Sequence, residues 1–189
     1  MTSVLFVITA ATGWTLRDGS VHPTGYWAEE VAEPYRVFSE AGWDITVATP
    51  GGVAPTLDEL SLGVAGGRPK KRQEIRDYLD SIADVLDHPV AVLAATNEDG
   101  TNAFAGRTMT GLSNVEERLN PFAWKAKWLL EDAVKDAGIR YEKGVVPLRP
   151  HVVVDGSLYT GQNPASAEAL ADRILADVDG RAADAGVAR

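Results

Sequence analysis

Two apolar runs separated by a helical segment constrain this chain more than any other feature. Val4–Thr9 (VLFVIT) is a continuous β-branched and aromatic run, the pattern of a parallel strand covered on both faces. Ile45–Thr49 (ITVAT) is a second such run, ended by Pro50, Gly51 and Gly52. Between them, Gly25–Gly42 places Trp27, Val31, Tyr35 and Phe38 at helical spacing, which predicts a helix interrupted by Pro34 and stopped at Gly42. Strand, helix and strand make a βαβ unit, right-handed in nearly all proteins.

Beyond it, Val53–Lys71 turns to Gly, Pro, Leu and charge, the composition of a surface excursion. Gln73–Val85 sets Ile75, Leu79, Ile82 and Ala83 on one helical face. Asp87–Thr96 (DHPVAVLAAT) fits either a proline-initiated helix or a buried strand, because periodicity does not separate the two in short apolar runs. Asn97–Thr101 is an Asp-Gly turn and Thr108–Thr110 a short strand. Asn120–Ala137 opens with Asn and Pro, an N-cap and first-turn pair, and predicts one helix ending at Gly138. Val152–Asp155 and Leu158–Thr160 flank a tight turn as a hairpin, Ser166–Val178 is an amphipathic helix, and the residues after it are expected to fray.

The chain's 189 residues suit one domain, 1–189, and 45% hydrophobic content is enough for an ordinary core. A net charge of −9 argues against nucleic acid as a partner. The basic run Arg68–Arg72 (RPKKR) reads as a solvated loop. No cysteine occurs, so disulfides, thiolate metal sites and cysteine catalysis are excluded together. The opening residues lack a basic leader, and no apolar stretch is long enough to span a bilayer. A soluble, cytoplasmic protein without membrane attachment is expected.

Four blocks carry a family resemblance: DGSVHPTGYWAEEVAEPYRVFSEAGWDITVATPGG from Asp18, TMTGLSNVEE from Thr108, LLEDAVKDAGIRYE from Leu129, and PHVVVDGSLYTGQNPASAEALA from Pro150. They are similar to the glyoxalase III and chaperone branch of the ThiJ/PfpI superfamily, of the type 1 glutamine amidotransferase-like fold, and cover roughly two thirds of the chain. The resemblance implies a flavodoxin-like three-layer sandwich with a largely parallel sheet, closed by a C-terminal hairpin and helix. Family members carry a strand, a helix and a second strand that delivers a Cys-His-Gly nucleophile elbow. Here the sequence passes from Ile82 straight into the part resembling the helix after the elbow, so about one βαβ unit, roughly 30 residues or more, is expected to be absent. With His88-Pro89 taken as the elbow's remnant, the cysteine's place falls at or near Asp87.

The resemblance also implies an acid near the start of the first helix, and Glu30 matches it. An acid beside a substrate carbonyl shuttles a proton when burial raises its pKa toward neutrality. The alternative is an acidic first turn of Glu29, Glu30 and Glu33, favoured by the helix dipole. His88, beside the old elbow, and His22, in the loop before the first helix, complete the candidate set, although His88 also suits a helix start and His22 a capping or surface role. His151 reads as packing. No Gly-x-Ser-x-Gly turn exposes a serine nucleophile, the paired glycines do not make a dinucleotide fingerprint, and no His/Asp/Glu spacing resembles a metal site, so neither cofactor nor metal is expected. Trp124 and Trp128, spaced four apart, are read as sharing one helix face in a core or dimer surface. A sheet short of strands leaves apolar edges, which points to a homodimer, with exchanged elements as one way to build it. The functional expectation is a cysteine-independent acid–base enzyme acting on a small molecule by hydration, elimination or rearrangement. A non-catalytic binding or chaperone-like module and an inactive shortened paralogue are the alternatives.

Overall fold

The structure is a computed structural model and describes residues 2–92, 97 and 99–187. Strand β1 (Ser3–Val7) pairs in parallel with β4 (Asp44–Pro50), and β4 with β5 (Val90–Val92). The hairpin β2 (Gly13–Thr15) and β3 (Val21–Pro23) lies between β1 and helix α1 (Ala28–Glu40). The expected βαβ unit is present, with a hairpin in its crossover that the sequence did not announce.

Pro34 does not interrupt α1, which runs through it. The proline removes the N–H that would serve the Glu30 carbonyl, yet the helix survives on its packing. Val31, Ala32 and Tyr35 are buried, and with Phe6, Ile8, Ile45 and Val47 they build the main core, while the buried Phe38 stacks on Trp43. Full burial of a valine or isoleucine such as Val31, Val47 or Ile8 contributes about 1.5–3 kcal/mol. Gly42 takes φ +71° just past the helix, where an L-residue would be strained.

Helix α2 (Pro69–Ser81) begins earlier than the apolar periodicity alone predicts, with Pro69 in its first turn. The basic run is therefore a helix start and not a solvated loop: Lys71 pairs with the buried Glu33, and Arg72 donates to the Leu62 carbonyl at 3.2 Å. Ile82 (φ −112°, ψ 13°) breaks the helix, and α3 (Ala83–Asp87) follows. Of the ambiguous Asp87–Thr96 segment, Val90–Val92 is strand β5, and residues 93–96 lie outside the described residues.

In the second half, β6 (Thr108–Met109) pairs in parallel with β7 (Arg140–Tyr141), and β8 (Val152–Asp155) with β9 (Leu158–Gly161) forms the expected hairpin. The Asp155 carboxylate joins the two pairs, accepting from the Thr108 amide at 2.7 Å and from Arg107 Nε at 3.2 Å. Helix α6 (Ala167–Val187) continues well past Val178 and packs on α1.

The long helix expected over Asn120–Ala137 is not there. Asn120 caps and Pro121 opens a turn, but a 3-10 segment ends at Lys125, Ala126 is extended (ψ 144°), and helix resumes only as α5 (Leu130–Asp136). Tertiary partners take over the intervening backbone: Ala126 bridges Leu16, Arg17 N–H donates to the Lys125 carbonyl at 2.8 Å, and Leu130 N–H donates to Glu117 at 2.7 Å. Ala123, Ala126 and Leu129 bury themselves in a small core with Trp14. Packing overrides a sequence of good helix formers. Trp124 and Trp128 accordingly share no helix face.

One face of the β1–β4–β5 sheet is covered by α1 and α2, and the other is open in part, along β1 and β5, with Ala48 of the central strand fully buried. Leu5 and Val7 are each 55% exposed and Val90 47%, and the register places Val7, Ala48 and Val90 side by side.

Candidate functional site

Close backbone packing fixes the start of α1. A Cβ on Gly25 would stand 2.0 Å from the Thr56 carbonyl oxygen, so only glycine permits the approach. Tyr26 N–H then donates to that same oxygen at 2.8 Å and Asp58 N–H to the Tyr26 carbonyl at 2.9 Å. These bonds hold the first helical turn, with Glu29 and Glu30, beyond the Val53–Leu57 excursion.

The three helix glutamates occupy different environments. Glu33 is 5% exposed, and although desolvation pushes its carboxyl up, hydrogen bonds and charge from Lys71 and Arg36 prevail and hold it below the ordinary range. It is structural. Glu29 is raised, chiefly by desolvation, with Lys71 opposing. Glu30 is raised to about 7, first by desolvation and then by the Glu29 carboxylate. By surface area Glu30 is nonetheless an exposed residue, with protein crowding its carboxyl on one side and water reaching it on the other. No hydrogen bond or ion pair holds the Glu30 carboxylate among the described residues. A carboxyl crowded by protein, reached by water and committed to no partner is available to exchange protons near neutral pH.

The sequence-derived partners have contacts of their own. His22 stacks on Phe122 (centroids 3.9 Å, 22°) and stands opposite Trp14 in the β2–β3 hairpin. His88 is exposed, with Nδ1 2.8 Å from the Asp84 carbonyl oxygen. Neither makes a hydrogen bond or ion pair with Glu30 among the described residues. Asp87, at the end of α3, is exposed and adds, after desolvation, to the forces raising the Tyr26 hydroxyl.

Sequence reading overlooked a second acidic centre, built on Glu116 after helix α4 (Asn114–Glu117) opens with a Ser113 cap. Glu116, 4% exposed, accepts from the Ser113 amide (2.9 Å) and hydroxyl (2.7 Å), Gln162 Nε2 (2.8 Å), Asn163 Nδ2 (2.8 Å) and the Leu148 amide (2.8 Å). Burial opposes its ionisation, yet these donors hold it at about 2. With every lone pair engaged, it fastens the 144–150 loop rather than performing chemistry. The S-N-V-E capping box was the available signal. His151 keeps its Nε2 buried without a partner, in line with packing. Among the described residues, no group of three or more His, Asp or Glu side chains is placed to hold a metal ion.

No family model matches the chain. Over 91 residues it is 38% identical to glutamine amidotransferase-like class 1 domain-containing protein 1 of Bos taurus and 37% identical to the Homo sapiens protein of the same name. The match covers 48% of this chain and 41% of each relative, so it spans less than half the length of the curated proteins. One crystal structure, 26% identical, superimposes with a TM-score of 0.73 over 95% of this chain and 99% of its own. The Francisella tularensis rapid encystment protein of 24 kDa gives 0.72 at 17% identity, covering 92% and 97%. Glyoxalase III from Candida albicans gives 0.70 at 19%, covering 93% and 96%. These last two bear on the fold alone. The chain is thus similar over about half its length to class 1 glutamine amidotransferase-like proteins and shares its α/β fold with these solved structures, in agreement with the ThiJ/PfpI resemblance read from the sequence.

Proposed function

We propose that the protein is a cysteine-independent acid–base enzyme that acts on a small carbonyl compound through Glu30. Thiohemiacetal or thioester chemistry is closed to a chain with no sulfur nucleophile. The observation that carries the reading is the Glu30 carboxyl, raised to about 7, unpaired and open to water. At neutral pH such a group is present in both protonation states. It removes a proton beside a carbonyl and returns it elsewhere, the common step of enolisation, elimination and rearrangement. The step itself needs only Glu30, and His22 and His88, which make no hydrogen bond or ion pair with it among the described residues, stay as candidate partners on the substrate's side. We further read the protein as a cytoplasmic homodimer without a nucleic-acid partner.

The test is α-proton exchange of dihydroxyacetone in D2O, followed by proton NMR. Exchange should rise with pH through about 7 and fall by about 10²–10⁴ in Glu30→Gln. Full exchange in Glu30→Gln sinks the mechanism.

A second reading, a chaperone-like module, is favoured by the open apolar face bearing Leu5, Val7 and Val90. It predicts that the chain suppresses aggregation of an unfolding client and that Leu5→Lys/Val7→Lys abolishes this, whereas Glu30→Gln leaves it intact.

A further inference from the structure

Helix α1 carries a ladder of charge along one face. Glu29, Glu33, Arg36 and Glu40 recur at spacings of four, three and four residues, which sets them in one row. Arg36 donates to Glu33 at 2.5 Å and to Glu40 at 3.3 Å. Lys71 reaches over from α2, pairs with Glu33 and stands 4.0 Å from Glu29 Oε1. The row therefore ends in a partly buried Glu29 that faces an ammonium group. Glu30 follows it in the chain and has no cation paired to it among the described residues.

That placement orders the two ionisations. An opposite charge beside a carboxyl favours its charged form, and a carboxylate already present opposes ionisation of a second acid next to it. Glu29 has the ammonium and Glu30 does not, so Glu29 ionises first and Glu30 must lose its proton beside an existing charge. The directions agree: burial raises the Glu29 carboxyl and Lys71 draws it back, whereas burial raises Glu30 and Glu29 adds to the rise. The other groups acting on Glu29, Glu33 on α1 and Glu168 on α6, both favour its protonated form. Lys71 is thus the group that keeps Glu29 charged.

We infer that Glu29, kept ionised by Lys71 of the neighbouring helix, is a positioning residue that sets how tightly Glu30 holds its proton. Resting on the acid–base reading, this couples the seating of α2 on α1 to the pH at which the site works.

Carbon-13 NMR of the full chain, labelled at the glutamate carboxyl carbon, reads each acid without any need for turnover. The Glu30 and Glu29 signals are identified by their loss in Glu30→Gln and Glu29→Gln. Glu29→Gln should lower the Glu30 midpoint by about 1 on the pH scale, and the rising limb of dihydroxyacetone exchange should move down with it. Glu30→Gln should leave the Glu29 midpoint in place, because glutamine resembles the protonated acid that Glu30 still is while Glu29 ionises. Lys71→Met should raise the Glu29 midpoint, and Lys71→Arg should keep it. Should Lys71→Met fail to fold, having stripped the buried Glu33 of a partner, the two glutamine variants and Lys71→Arg decide. A Glu30 midpoint unmoved in Glu29→Gln overturns the inference, as does a Glu29 midpoint that falls in Glu30→Gln or rises in Lys71→Arg. Midpoints that move as expected in a protein that exchanges no α-proton leave the role of Glu29 standing and overturn the acid–base enzyme instead.

Discussion

Two carboxylates of the same type, Glu30 and Glu116, are driven in opposite directions by their surroundings, and each makes a pH-dependent prediction. Glu30 holds its proton more tightly folded than unfolded, with its carboxyl moved from 4.5 to about 7. Folding stability linked to it is therefore full below about 4.5 and declines as pH rises to about 7. Glu30→Gln should flatten that decline and raise the thermal midpoint at pH 8 while abolishing turnover, the trade expected of a functional acid. Glu116 runs the other way. Its carboxyl is held at about 2, so the stability it contributes is full above about 4.5 and is lost as pH falls toward 2. Glu116→Gln turns an acceptor into a donor facing amide donors and should cost about 2–3 kcal/mol in urea denaturation at pH 7. Glu30 was legible only through family resemblance; its lack of any partner is a tertiary fact.

At the scale of elements, the strands of the βαβ unit and the C-terminal hairpin were readable because short-range signals and burial agree there. The Asn120–Ala137 segment was not. Its cap and helix-forming residues are sound locally, but Leu16, Arg17 and Glu117 supply competing partners from distant parts of the chain. The β2–β3 hairpin was missed for the same reason, since Trp14 finds its core against Ala123, Ala126 and Leu129. Gly25 tests how strictly such contacts fix the start of α1. Gly25→Ala drives a Cβ against the Thr56 carbonyl and should destabilise the fold by more than about 2 kcal/mol, with the Glu30-dependent exchange falling as well. A stability loss within about 0.5 kcal/mol would mean the Gly25–Thr56 approach is not rigid.

For the molecule as a whole, the two faces of the β1–β4–β5 sheet give the sharpest contrast. Val31→Ala, on the helix covering one face, should cost about 2 kcal/mol or more, because it opens a cavity in close-packed surroundings. Leu5→Thr, on the open face, should change stability by less than about 0.5 kcal/mol and lower binding of an apolar dye. Sequence alone determined the layered α/β class, the parallel pairing of β1 with β4 and the exclusion of cysteine chemistry. These follow from local side-chain patterns and from composition. Tertiary structure alone decided that Glu30 stands without a partner while Glu116 is saturated, that Lys71 neutralises Glu33, and that Trp124 and Trp128 face solvent from a broken helix. Each of those depends on contacts between residues far apart in the chain, whose free energies exceed the few tenths of a kcal/mol by which local propensities differ.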